Sequence, residues 1–311
     1  MRLLMSSLVA CLFVCAPMAS NADSGILHLE QSTDGLANWV KIPITSELLT
    51  ANGDVDIGAL PAGGNRFYRM KILVDESAVA GMIRVFGGTL PQGSPLSGAV
   101  VPTFYIAKYE VTWREWQVVR SYAVANGYDL ADIGAGSDTE HPVQMVNWYD
   151  AAKWCNAKSQ MEGLTPVYLD GETIYKTGEV VPSGVSVANG YRLPSEAEWE
   201  WAARGGPSSQ GFTFSGNNEA AIVAWFADNN SPNAGTKAVG MKAANELRVY
   251  DMSGNVVEWC GDSSSPYGFY PTTRGGAYDY PAVACTVSAQ GSSVPHNRTG
   301  NFGFRLARST P

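Results

Sequence analysis

Gly190-Tyr191-Arg192-Leu193-Pro194-Ser195-Glu196-Ala197-Glu198-Trp199-Glu200 turns a loop into a helix within a few residues. The Ser195 hydroxyl is placed to accept the N–H three positions on, and Glu198 to reach back to the Ser195 N–H, which makes a capping box. The helix that follows is expected to reach Arg204 and stop at Gly205-Gly206, a C-cap signal. Two more helices read the same way upstream. Thr112-Trp113-Arg114-Glu115 is a second capping box, with Trp113, Trp116, Val119 and Ala123 as the apolar stripe. Asn147 caps a third helix, expected to run through Lys158 with Trp148, Ala151, Ala152 and Cys155 on one side. Almost everything between is Gly-, Asn- and Ser-rich loop with brief strands. Short helices scattered among loops and strands predict an α+β fold, irregular in its connections, and not a repeating βαβ pattern.

The composition suits such a fold. Of 311 residues, 45% are hydrophobic and 11% aromatic, enough apolar surface to offset the entropy of ordering. A net charge of −8 argues against nucleic acid as partner, since phosphates need a basic face.

The chain opens like an exported protein. Residues 1–22 carry Arg2, an apolar stretch from Leu3 to Met18 and small residues at Ser20-Asn21-Ala22, which predicts a signal peptide cleaved before Asp23. The stretch is shorter than the ~20 apolar residues of a membrane anchor, and no later run is long enough to span a bilayer. The expected location is therefore secreted or periplasmic. Leu8-Val9-Ala10-Cys11 offers a lipoprotein box as the lesser alternative. Residues 23–77 read as a small β module and linker. Ile26–Glu30, the segment around Trp39–Ile42, and Arg66–Ile72 have strand character, separated by turns at Thr33-Asp34-Gly35, Ala51–Asp54 and Pro61–Asn65. The remaining 78–311 form one large domain.

Four segments of that domain carry a resemblance. After the quoted stretch and Ala202-Ala203-Arg204-Gly205-Gly206 come Tyr250-Asp251-Met252-Ser253-Gly254-Asn255-Val256-Val257-Glu258-Trp259, then Arg274-Gly275-Gly276-Ala277-Tyr278, then Phe302-Gly303-Phe304-Arg305-Leu306. In this order and spacing they resemble the sulfatase-modifying-factor family, which includes the formylglycine-generating enzyme. The resemblance implies a C-type-lectin-like fold, often with bound calcium. It also implies an oxidase that converts a sulfatase cysteine to formylglycine, with copper(I) held by two thiolates; soft Cu(I) prefers soft sulfur ligands. The match places Cys285 on the second copper cysteine, but Tyr280 stands in place of the first, and Ala277 replaces a serine near the reacting thiol. A phenol is a poor substitute for a thiolate, so copper catalysis is not expected.

Other chemistry is sparse. His28, His141 and His296 show no metal-ligand spacing, and no nucleophile elbow or phosphate loop is present. Glu196, Glu198 and Glu200 read as a cap plus a solvated or locally hydrogen-bonded side. Cys155, Cys260 and Cys285 remain after signal removal, with pairing open. Asn255 and Glu258 supply the hard oxygens calcium prefers and resemble a family calcium loop, with a looser second region at Asn229, Asn230 and Asn245-Glu246. Trp225, Phe226, Tyr278 and Tyr280 are candidates to line a ligand groove. Two functions stay open: a non-catalytic exported protein binding a peptide or glycan, with a sulfatase as one candidate partner, or a formylglycine-generating-type oxidase with a non-standard site.

Overall fold

The computed structural model describes residues 25–32, 40–42, 67–74 and 79–310, apart from 186–187, 232–233, 264 and 266. The expected signal peptide, the three expected turns of the β module and the expected linker after Val74 lie outside the described residues. The chain divides into two compact units, Met1–Ala78 and Val79–Pro311. In the first, strands β1 (Gly25–Ser32), β2 (Val40–Ile42) and β3 (Phe67–Val74) form an antiparallel sheet in the order β2-β1-β3. β1 and β3 pair along their full length, from Gly25 opposite Val74 to Ser32 opposite Phe67.

The second unit is α+β. Its strands are β4 (Met82–Val85), β5 (Gly88–Thr89), β6 (Val100–Val101) and β7 (Phe104–Ala107), then helices α1 (Trp113–Ala125) and α2 (Trp148–Met161). β8 (Tyr168–Asp170), β9 (Thr173–Ile174) and β10 (Gly184–Val185) precede α3 (Glu196–Ala203) and the single turn α4 (Ala220–Val223). β11 (Val257–Ser263), β12 (Pro271–Arg274), β13 (Gly291–Ser292), β14 (Phe302–Gly303) and β15 (Ala307–Ser309) complete it. All three expected caps close as boxes: Thr112 with Glu115, Asn147 with Asp150, and Ser195 with Glu198. Gly205 takes the left-handed conformation after α3 at φ +91°, as a C-cap glycine does. α2 runs three residues past the expected end, because Cys155, Ala157 and Ser159 stay buried and keep its inner face packed.

Two apolar clusters hold the unit together. In one, the Trp116 and Trp154 rings lie parallel, 5.9 Å apart, with Phe304 edge-on to both. This joins α1 and α2 to the C-terminal segment. The other packs Trp199, Trp201 and Ala202 of α3 on Val85, Phe104 and Ile106. The sheets among the described residues of this unit are ordered β13-β12-β11-β14, β15-β7-β4, β10-β8-β9 and β5-β6.

Of the two expectations for the α3 glutamates beyond the cap, the hydrogen-bonded one holds and the solvated one does not: all three are buried. Glu198 caps the helix and receives two bonds from Arg192, at 2.6 and 2.7 Å. Glu200 pairs with Arg204 and with Arg274 of β12, and Glu196 accepts from Gln290 and lies 3.5 Å from Arg274. Positions i and i+4 share a helix face, so one strand arginine reaches both Glu196 and Glu200.

Candidate functional site

The site is organised by one turn. Asp251, Gly254 and Asn255 all have positive φ, between +57° and +78°, which folds residues 251–255 tightly before β11. Around that turn, the Gly254 N–H donates to Gly275 and the Asn255 N–H to Trp225, while the Asn255 carbonyl accepts from the Tyr278 N–H. A second layer joins the same segments: the Ala227 N–H donates to the Tyr280 carbonyl and Asn230 Nδ2 to the Tyr278 carbonyl. The backbone thus brings Trp225, Tyr278 and Tyr280 to one region, with all three half-buried. Phe226 does not join them. It turns inward against Phe214, Val223 and Cys285, because the extended backbone at Trp225 and Phe226 sends successive side chains to opposite faces. A cleft of about 390 Å³ lined by Tyr109, Glu110, Glu115 and Glu140 includes none of the three aromatics.

Beneath the turn sits a buried charge cluster. Asn255 Nδ2 donates to Glu110 Oε2 at 2.7 Å, and the Val256 N–H to Glu110 Oε1 at 3.2 Å. The Asn255 amide oxygen accepts the Lys237 N–H at 2.9 Å. Glu258 is fully buried; Arg305 grips both its oxygens at 2.6 and 2.7 Å, and Trp199 Nε1 donates to Oε2 at 2.7 Å. Calcium was expected here. The oxygens of Asn255 and Glu258 instead hold protein donors, and the positive charge beside Glu258 is a guanidinium, so these two residues as placed do not fit a calcium site. Asn230 and Asn245 are likewise engaged, Asn230 with Lys237 and Asn245 with Leu247 and Val249.

Sequence reasoning did not single out Glu110, Asp251 or Arg305 as a group. Their partners come from strands far apart in the chain, so no local spacing announces them. Burial holds the Glu110 carboxyl well above the usual carboxylate range, with Asp251 and Glu258 adding to the effect. Burial also pushes Asp251 up to about 6, against the bond from the Gly240 N–H and the charge of Arg305. A carboxyl whose folded-state pKa is raised contributes stability below its unfolded value, and that contribution is lost as pH rises through the folded value. From pH 7.5 to 5.0 the Asp251 share is about 1.4 kcal/mol, or roughly 3–5 °C in melting temperature for a unit of this size. Asp251→Asn keeps an acceptor for Gly240 and is expected to remove that part of the pH dependence. Identical melting profiles for the two proteins across this range would contradict the assignment.

Cys285 lies in a short turn, Ala282–Cys285, and is fully buried. Burial pushes its thiol up to about 12, and the backbone N–H groups of Ala277 and Gly254 do not offset this. Such a sulfur is held in the thiol form at neutral pH. Gly276 is obligatory beside it, since a Cβ there would lie 2.7 Å from the sulfur. With Tyr280 as the other group, the residues present do not fit a two-thiolate copper site. Cys155 and Cys260 are also buried, and all three thiols are free.

Comparison with known proteins agrees with this picture of the fold. Residues 71–310 match the model for the sulfatase-modifying factor enzyme 1-like domain. A chaperone protein, LppX of Paenibacillus barcinonensis, is 38% identical over 66% of this chain and 80% of its own length. The formylglycine-generating enzyme of Mycobacterium tuberculosis is 28% identical over 76% of this chain and 80% of that enzyme. The crystal structure of CarF superposes with a TM-score of 0.67 at 28% identity, covering 74% of this chain and 98% of CarF. No helix among the described residues is long and apolar enough to cross a membrane. By sequence and by fold, the chain belongs to the sulfatase-modifying factor enzyme 1-like family.

Proposed function

We propose that this is an exported, non-catalytic member of the family that binds polypeptide at the groove marked by Trp225, Tyr278 and Tyr280. The observation that carries the reading is Cys285. It is a protonated thiol sealed among Phe214, Val223 and Phe226, with Tyr280 in place of a second sulfur. Likeness to a relative named as a chaperone supports polypeptide as the ligand over glycan. Half-buried aromatics suit this use, since they offer contact area at a small cost in side-chain entropy. Calcium has no part in the proposal, because its expected ligands are engaged by protein donors.

The test incubates residues 23–311 with copper, oxygen and a Cys-x-Pro-x-Arg peptide, and traps any aldehyde with a hydrazide. No aldehyde above the peptide-only control is expected. In parallel, the chain is expected to suppress light scattering by aggregating reduced insulin chains. Aldehyde formation abolished by Cys285→Ser would establish the oxidase reading instead. If Tyr280→Cys with Ala277→Ser produces aldehyde where the native chain does not, those two positions account for the lost chemistry.

A further inference from the structure

The Trp225 end of the proposed groove carries a charge pattern that the sequence as a whole conceals. The chain has a net charge of −8, yet two lysines from one loop converge on a single indole. Lys242 Nζ lies 4.0 Å from the Trp225 ring centroid and Lys237 Nζ 5.6 Å. Both ammoniums are anchored by neutral oxygens. Lys242 donates to the Ala221 carbonyl at 2.6 Å, and Lys237 to Asn230 Oδ1 and to the Gly235 carbonyl. No ion pair among the described residues includes Lys242. Burial pushes both lysines below their ordinary range.

Exposed aliphatic residues flank Lys242 along the chain and across a backbone bond: Met241 is 63% exposed and Ile222 43% exposed, and the Ala243 N–H donates to the Ile222 carbonyl, which sets the two segments side by side. An anchored ammonium on segments that also expose aliphatic residues suits a carboxylate carried by a chain that presents apolar side chains. A sugar ring would instead seek a flat aromatic face, and Lys242 already covers one face of Trp225.

We infer that this end of the groove binds an acidic, partly apolar stretch of extended polypeptide, a carboxylate on Lys242 and its apolar side chains against Ile222 and Met241. The inference rests on the binding function proposed above and names the chemistry of the ligand. Charge-assisted hydrogen bonds to an ammonium are roughly twice as strong as neutral ones, so carboxylates are favoured over amides here. The net negative charge of the chain makes the test clean, because non-specific attraction would select the opposite peptide.

The experiment measures fluorescence anisotropy of labelled decapeptides with alternating Glu-Leu, Gln-Leu or Lys-Leu sequence against the mature chain. The Glu-Leu peptide is expected to bind about 10-fold more tightly than the Gln-Leu peptide, the change given by one charge-assisted contact. Lys242→Gln removes that preference, and Lys242→Glu shifts it toward the Lys-Leu peptide. Lys158→Gln, which breaks the pair with Glu162 and the contact with the Tyr191 ring, leaves it intact. Melting curves confirm that each variant is folded. Equal binding of Glu-Leu and Gln-Leu peptides overturns the inference, as does a folded Lys242→Glu that keeps the native preference. Displacement of the peptide by oligogalacturonate at lower concentration would overturn the assignment to polypeptide. These outcomes are separate from the aldehyde assay: an uncharged peptide bound equally well leaves the binding function standing and removes only the acidic preference.

Discussion

Arg305→Met is expected to destabilise the large unit by about 3–5 kcal/mol, the usual cost of stripping one partner from a buried ion pair. In a domain of this size that is on the order of 10 °C in melting temperature. Arg305 is fully buried; besides gripping Glu258 it donates to the Ala107 and Tyr250 carbonyls, at 3.1 and 3.0 Å. Its loss leaves Glu258 charged, desolvated and close to Glu110 and Asp251, whose own protonation is already favoured by burial. Arg305→Lys keeps the charge but not the two-pronged geometry, so it falls between native and Met. Adding Glu258→Gln to Arg305→Met is expected to recover roughly half of the loss, because Gln still accepts from Trp199 and no longer carries a bare charge. Urea unfolding of the four proteins decides it. A loss below about 1 kcal/mol for Arg305→Met would mean the pair is not desolvated as described.

Gly254→Ala acts on the groove itself. Gly254 has φ +78°, and a Cβ there would run into the Trp225 carbonyl, with the Trp225 carbon and nitrogen at 2.9 and 3.0 Å. These are backbone atoms, so they yield only if the 225–230 segment moves. The left-handed conformation alone costs a non-glycine residue about 1–2 kcal/mol. The clash is expected to bring the total to about 3 kcal/mol, within the range of overpacking. Gly93→Ala is the control. Gly93 also has positive φ, but nothing lies within 4 Å of its Cβ, so only the conformational cost applies. Gly254→Ala is further expected to change Trp225 fluorescence and weaken peptide binding, whereas Gly93→Ala does neither. Equal losses for the two substitutions would show that Gly254 is not pressed against Trp225.

What the sequence revealed was mostly local. Capping boxes are readable because Thr112 and Glu115, or Ser195 and Glu198, lie within one helical turn of each other. The Tyr280 and Ala277 departures are readable because they fall inside a motif. Pairings that depend on strand register are not. Glu200 meets Arg274 across 74 residues and Glu258 meets Arg305 across 47. The α3 glutamates therefore read as partly solvated when they are buried. The same holds for Asn255 and Glu258: as isolated oxygens they suggest a cation, and only the fold shows that an arginine and a backbone N–H already use them. Lys237 and Lys242 sit in a Gly- and Asn-rich loop without periodicity, where no pattern announces their convergence on Trp225.

The C-terminal segment finishes structures begun near the start of the large unit. β15 pairs with β7, Phe304 closes on Trp116 and Trp154, and Arg305 reaches Ala107 across 198 residues. A nascent chain that has emerged only to residue 300 therefore has both helices but lacks the ring that closes on their tryptophans and the cation that neutralises Glu258. Its core cannot settle vectorially, and completion waits for Phe304, Arg305 and β15 to emerge. The small N-terminal sheet, whose strands are all present by Val74, has no such wait. Long-range closure of this kind slows folding and lengthens the interval in which apolar surface is open. Emergence of β15 and the residues just before it, not of the helices, sets when the large unit can fold.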